Sequence, residues 1–192
     1  MIYGGLRIFA LPEPDHAMTT PPLAQTLPGF VYSDPAIFAR EQQQIFSNMW
    51  IYVARSEDLP GVGHFKCIHV GGESVIVVRG QDQQLRAFYN VCRHRGSRLC
   101  TEESGSLSVL RCRYHAWGYD LDGSLISAPS ATALTEFDSS QFGLIPVNLE
   151  IWQGMVWINL SDSPTSLVDH VLPLFWNAWE RGKSLLLIPG TH

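Results

Sequence analysis

The chain has 192 residues, 45% hydrophobic and 16% charged, with a net charge of −5. That is enough for one good core and a small appendage, and the lack of a basic face makes nucleic acid and anionic membrane poor partners. The apolar run Leu185–Ile188 falls far short of the ~20 residues that span a bilayer, so no membrane anchor is expected.

The N-terminal stretch from Met1 to Ala17 has one Arg, a broken apolar run at Ile8–Leu11, and then Pro12 and Pro14. A secretory signal needs a cationic start and a continuous apolar run of about 7–15 residues, and this stretch has neither. Residues 1–27 are therefore read as a flexible tail, with Met18 as an alternative initiator, and the expected location is the cytoplasm. Asp34-Pro35 then supplies an N-cap and a first-turn proline, and Ile37, Phe38, Glu41, Ile45 and Phe46 follow at roughly helical spacing, which predicts a helix over 35–47. From Trp50 the period changes. Runs rich in Val, Ile and aromatics at 49–54, 64–70, 74–79 and 85–90 are separated by Pro60-Gly61, Gly71-Gly72 and Gly80-Gln81, the pattern of an antiparallel β region. Two strand-loop units follow at 85–96 and 109–121, with a hairpin signal at Asp122-Gly123. Further strands are predicted at 143–148, 149–152 and 155–160, the last two joined by Gln153-Gly154. A closing helix is expected over 166–181, on the apolar stripe of Leu167, Val171, Leu172, Leu174 and Phe175. The predicted architecture is mainly β: an antiparallel sandwich or small barrel with two tip loops and flanking helices.

The tip loops carry the chemistry. Cys92-Arg93-His94 and Cys112-Arg113-Tyr114-His115 each offer one thiolate and one imidazole, with residues 95–111 between them. Two Cys and two His in this pattern form the ligand set of a Rieske [2Fe–2S] centre, two cysteines holding one iron and two histidines the other. Two ferric ions are balanced by two sulfides and two thiolates, so the oxidised core is neutral, where four thiolates would leave it doubly negative. Histidine ligation thus raises the potential to roughly −150 to +300 mV, against about −400 mV for plant-type ferredoxins. The alternative is a structural zinc site. Zinc fingers keep Cys with Cys and His with His, whereas each loop here supplies one of each, and C-x-H is a short bite for one ion. The remaining cysteines, Cys67 in a strand and Cys100 in a loop, are read as free thiols.

The segments Asn90–Gly96 and Arg111–Gly123 resemble the Rieske domain of the α subunit in Rieske non-haem iron ring-hydroxylating oxygenases. The resemblance runs from about residue 28 to 165. It includes Trp50–Ala54, Gly72–Arg79 and Gly154–Leu160, and Arg95-Gly96 after the first His is typical of the α subunit. Ala116 stands where that family often has glycine. Respiratory Rieske proteins differ, with a further Cys after each ligand pair and a Ser two positions past the second His. Here those positions are Ser97, Tyr114 and Trp117. Fewer hydrogen bonds to the sulfurs imply a low, negative midpoint potential.

The resemblance implies that Cys92 and Cys112 hold an inner iron and His94 and His115 an outer one. Trp117 is expected over the cluster or simply in the core, and Arg95 in the shape of the first loop or a docking surface. It also implies a flavin reductase or ferredoxin as electron donor, and a mononuclear Fe(II) site in a catalytic domain outside this chain. The H-x4-H pair of His64 and His69 does not supply that site, because residues five apart on a strand point to opposite faces. His170 beside Asp169 is expected on a solvated helix face, and His16 and His192 in tails. Residues 28–165 are thus the expected Rieske unit, and 166–192 a helix with a truncated tail. Three functions remain open: an electron-transfer module unable to hydroxylate alone, one part of a split oxygenase with a separate non-haem iron subunit, or a zinc-binding interaction module. The substrate is not written in these residues.

Overall fold

A computed structural model describes residues 26–129, 131 and 137–171. Helix α1 (Pro35–Glu41) begins as expected: the Asp34 carboxylate accepts from the Ala36 N–H at 2.8 Å, with Pro35 in the first turn. It does not stay α-helical to residue 47 but widens into a π turn over Gln42–Phe46. Ten strands follow: β1 (Ile51–Arg55), β2 (His64–Val70), β3 (Glu73–Arg79), β4 (Leu85–Tyr89), β5 (Ser104–Ser106), β6 (Leu110–Arg111), β7 (Gly118–Tyr119), β8 (Leu125–Ser127), β9 (Pro146–Trp152) and β10 (Met155–Asn159). The segments expected as separate strands at 143–148 and 149–152 form one strand, β9, because no turn residue interrupts 146–152. Residues 167–171 are helical; the rest of the predicted closing helix, residues 1–25, and His192 lie outside the described residues.

Seven strands make one curled antiparallel sheet in the order β1-β10-β9-β4-β3-β2-β5, and three make a small sheet in the order β6-β7-β8. The mainly β architecture read from the sequence is what forms. Its organising strand is β3. Val75, Ile76, Val77 and Val78 are all fully buried, so both faces of the sheet are covered there. Val75 and Val77 pack with Leu85, Ala87, Val156 and Ile158. Ile76 and Val78 pack on the opposite face with Phe65, Phe88, Leu110, Cys92 and Cys112. The second core therefore ends at the two Cys/His loops, which gives the thiols a dry floor. The segment after β10 is tied to this frame by the Trp50 indole N–H, which donates to the Thr165 carbonyl at 2.8 Å, and by the Leu167 N–H, which donates to the Glu150 carboxylate.

Turn chemistry positions the loops. Gln153 and Gly154 both adopt positive φ, +50° and +73°, and Trp152 pairs with Met155, as a primed two-residue hairpin requires. Gly123, at φ +91°, closes the β7–β8 hairpin, where a Cβ would lie 2.5 Å from the Phe88 ring. The two Cys/His loops repeat one turn. In the first, the Cys92 N–H donates to the Ser97 carbonyl (2.8 Å) and the Gly96 N–H to the Cys92 carbonyl (3.0 Å). In the second, the Cys112 N–H donates to the Trp117 carbonyl (2.8 Å) and the Ala116 N–H to the Cys112 carbonyl (3.0 Å). Positive φ falls at the same step of each, +71° at Gly96 and +58° at Ala116. The unequal C-x-H and C-x-x-H spacings hide this likeness in the sequence.

Two stability outcomes follow from these backbones. Ala116→Gly should stabilise the fold by about 0.5–1 kcal/mol, since an alanine Cβ is disfavoured at positive φ; a lowered urea midpoint would contradict the strain. Gly123→Ala should cost about 2–3 kcal/mol through the Phe88 overlap and the left-handed φ. Urea unfolding at unchanged m-value measures it, and a loss under about 0.5 kcal/mol would show that the hairpin shifts freely.

Candidate metal centre

The repeated turn sorts the four candidate ligands by depth. Cys92 and Cys112 are each 2% exposed, while His94 is exposed and His115 half-buried at the surface. The imidazoles face each other with ring centroids 4.5 Å apart. The two thiols interact as well. Burial, the largest single influence on the Cys112 thiol, pushes it up, but the backbone N–H groups of His115 and Tyr114, with Cys92 and Ser97, outweigh it and leave the group below its ordinary value. The loop thus aims N–H donors at a sulfur in a way that favours thiolate, the form that binds metal. His115 is also shifted downward, first by desolvation and then by the charges of His94 and Arg95, which keeps a ring nitrogen unprotonated for a metal.

Buried neighbours fix this geometry. Tyr119, fully buried on β7, places its hydroxyl 3.3 Å from Cys92 Sγ and accepts from the Arg93 N–H at 3.0 Å. One side chain of the second unit thereby holds the first loop, and burial together with Cys92 pushes the Tyr119 hydroxyl well above the usual phenol range. Asn90, also buried, does the same at the loop's base. Its Oδ1 accepts from the N–H groups of Leu99 and Cys100 at 3.0 Å each, and its Nδ2 donates to the Cys100 carbonyl at 2.7 Å and the Ser74 hydroxyl at 3.1 Å. Neither residue stood out in the sequence. The available signal was the Tyr four positions beyond His115, on a strand buried at both of its residues, and the Asn directly after the apolar strand β4. Trp117 is buried as a core residue, edge-on against Phe137 and Phe142, and it also stacks on His94 at 4.8 Å and 6°.

Arg95 is exposed on the first loop, and Arg93, Arg98, Arg111 and Arg113 are exposed in or beside the two loops. Of these, Arg113 pairs with Glu102 at 3.3 Å. His64 and His69 both lie on β2, with His69 outward at the surface and five residues from His64, so they do not converge. His170 stands on the short helical turn at 167–171.

Among the described residues no three His, Cys, Asp or Glu converge closely enough to hold one metal ion. The four candidates are instead arranged as a sulfur pair below and a nitrogen pair above. That suits two irons bridged by sulfides, with a thiolate pair on the inner and an imidazole pair on the outer. It does not suit a single tetrahedral zinc, whose donors all lie within about 2.3 Å of one point. The donor set therefore fits the cluster.

Comparison with known proteins agrees. Residues 49–138 match the Rieske [2Fe-2S] domain family. The chain is 40% identical over 163 residues to the carnitine monooxygenase oxygenase subunit of Escherichia coli K12, covering 85% of this chain and 43% of that one. The crystal structure of the quaternary ammonium Rieske monooxygenase CntA superposes with a TM-score of 0.71 at 36% identity, over 81% of this chain and 45% of the other. Naphthalene 1,2-dioxygenase from Rhodococcus sp. gives a TM-score of 0.72 at 30% identity, over 77% and 34%. The chain thus spans less than half the length of these oxygenase subunits, and the shared part is the one that carries the two Cys/His loops. No helix among the described residues is long and apolar enough to cross a membrane. Cys/His spacing, paired-loop geometry and these similarities converge on one assignment: residues 49–138 of the chain are a Rieske [2Fe–2S] domain, similar to the one in Rieske oxygenase subunits.

Proposed function

We propose that Cys92 and Cys112 hold the inner iron and His94 and His115 the outer iron of this domain's [2Fe–2S] cluster, and that residues 28–165 act as its electron-transfer unit. When bound, the cluster takes up and releases one electron at a time. The observation that carries the reading is the depth ordering of the paired loops, with buried thiols below a surface imidazole pair. An electron entering or leaving by the imidazole edge crosses less protein than by any other route. Trp117, stacked on His94 and backed by Phe137 and Phe142, keeps water from that edge on one side. The electron's destination, on this reading, is a mononuclear non-haem iron site in a catalytic domain beyond residues 28–165, in the same polypeptide or in a partner subunit. Substrate choice belongs to that domain.

The charge pattern favours an acidic donor. Five exposed arginines lie in or beside the two loops of a chain whose net charge is −5, only Arg113 of them paired with a carboxylate, Glu102, so the folded surface carries a local cationic excess that the net charge conceals. An acidic ferredoxin or flavin reductase domain would be steered to it.

Replacing His94 with Ala should abolish the cluster's visible absorption while the protein remains folded by circular dichroism; an unchanged spectrum would overturn the ligand assignment. Tyr119→Phe removes a hydrogen bond to a ligand sulfur. It should lower the midpoint potential by on the order of tens of millivolts, since a hydrogen bond favouring the reduced state by about 1 kcal/mol corresponds to roughly that shift for one electron. Voltammetry reading the same or a higher potential would mean that the hydroxyl does not tune the site. Reduction by an acidic donor protein should slow steeply between low and moderate salt, and Arg93→Gln with Arg95→Gln should flatten that dependence. Stopped-flow rates indifferent to salt would rule out the arginine rim as the docking surface.

A further inference from the structure

The two cysteines left over by the cluster reading are not independent thiols. Cys67 sits on β2 and Cys100 in the segment that follows the first ligand loop. The Cys67 N–H donates to the Glu103 carbonyl at 2.7 Å, which draws that segment onto the strand. Asn90 Nδ2 lies 3.9 Å from Cys67 Sγ while donating to the Cys100 carbonyl. The two side chains are close enough for each thiol to shift the other's titration. Both line a pocket of about 210 Å³ with Lys66, Arg98, Glu102 and Asn90. Cys67 is half-buried on its wall, and Cys100 is buried behind it at 8% exposure.

We propose that Cys67 and Cys100 form a redox-active dithiol, a modification site separate from the cluster, which small disulfides convert to a Cys67–Cys100 disulfide. The pair is asymmetric in the way exchange requires. Cys67 is held below its ordinary value by the Cys100 thiol, against the opposing effect of burial and with help from the Arg98 charge. Cys100 is pushed up, by Cys67 and by burial. Cys67 is thus the attacking thiolate and Cys100 the protonated resolving thiol. In the first step the Cys67 thiolate attacks one sulfur of a low-molecular-weight disulfide R–S–S–R. The Cys67–S–S–R bond forms, the S–S bond of the reagent breaks, and R–S⁻ leaves. In the second, Cys100 gives up its proton and attacks Cys67 Sγ, forming the Cys67–Cys100 bond and expelling the second R–S⁻. Two protein thiols are oxidised by two electrons, and the reagent departs as two molecules of R–SH. The product would tie β2 to the segment that Asn90 also anchors, immediately behind the first ligand loop.

The test treats the full-length, cluster-loaded protein with oxidised glutathione in the absence of oxygen, blocks remaining thiols after acid quenching, and maps peptides under non-reducing conditions. A Cys67–Cys100 cross-linked peptide, reversed by dithiothreitol, is the expected result. Cys100→Ser should stop at the first step and accumulate glutathione on Cys67. Cys67→Ser should lose the cross-link and leave Cys100 as a free thiol. Recovery of both residues as free thiols in the wild type would overturn the proposal. So would a wild-type Cys67 that retains glutathione, or cross-links that run to Cys92 or Cys112 instead. Because the readout is the identity of the linked peptides, it stands or falls independently of the cluster ligand assignment.

Discussion

Tyr119 carries a hydroxyl from the strand behind the second Cys/His loop to the sulfur and backbone of the first, and the geometry of the site depends on where that hydroxyl can stand. A phenol buried completely needs a partner, since an unmet hydroxyl in a dry core costs roughly 1–3 kcal/mol. The partners within reach are Cys92 Sγ and the Arg93 N–H. Satisfying the phenol therefore fixes the distance between the loops, and with it the spacing of the thiol pair and of the imidazole pair above. Asn90 plays the complementary part at the base of the first loop, where four hydrogen bonds shorter than 3.2 Å join β3, β4 and the segment at 99–100.

Those anchors work because the sheet beneath them is rigid. β3 buries consecutive residues from Val75 to Val78, which happens only when both faces of a strand are covered. One face packs with residues of β1, β9 and β10, the other with the core beneath the Cys/His loops. Close packing on both sides leaves little freedom for β4, which pairs with β3 along its full length, and the first loop departs from the end of β4. The path from strand packing to Cys92 and His94 is short, since β4 ends at Tyr89.

The surface above this floor divides its chemistry. On one side of the imidazole pair lie Trp117, Phe137 and Phe142, an apolar wall. On the loops themselves lie exposed arginines. An apolar wall excludes water and sets the local dielectric, while the arginines act at longer range on an approaching partner. The cysteine pair behind the first loop adds a second sulfur chemistry, and the two are kept apart by burial: Cys92 and Cys112 face the core, whereas Cys67 faces a pocket.

What the chain's own residues determined was local. The N-cap of α1, the primed turn at Gln153-Gly154 and the strand runs that became β2 and β4 each depend on a few neighbouring side chains, and each appears as read. The expected split in β9 and the unbroken α-helix to residue 47 failed at boundaries, where local propensity is weak and pairing decides. Only the tertiary structure made Tyr119 the partner of Cys92, made Asn90 the staple of 99–100, and brought the free thiols of Cys67 and Cys100 to one pocket. These contacts join residues far apart in sequence, and strand register with the burial it enforces sets them. Residue type says that a buried Tyr, Asn or Cys must find a partner, and the fold alone says which one it reaches.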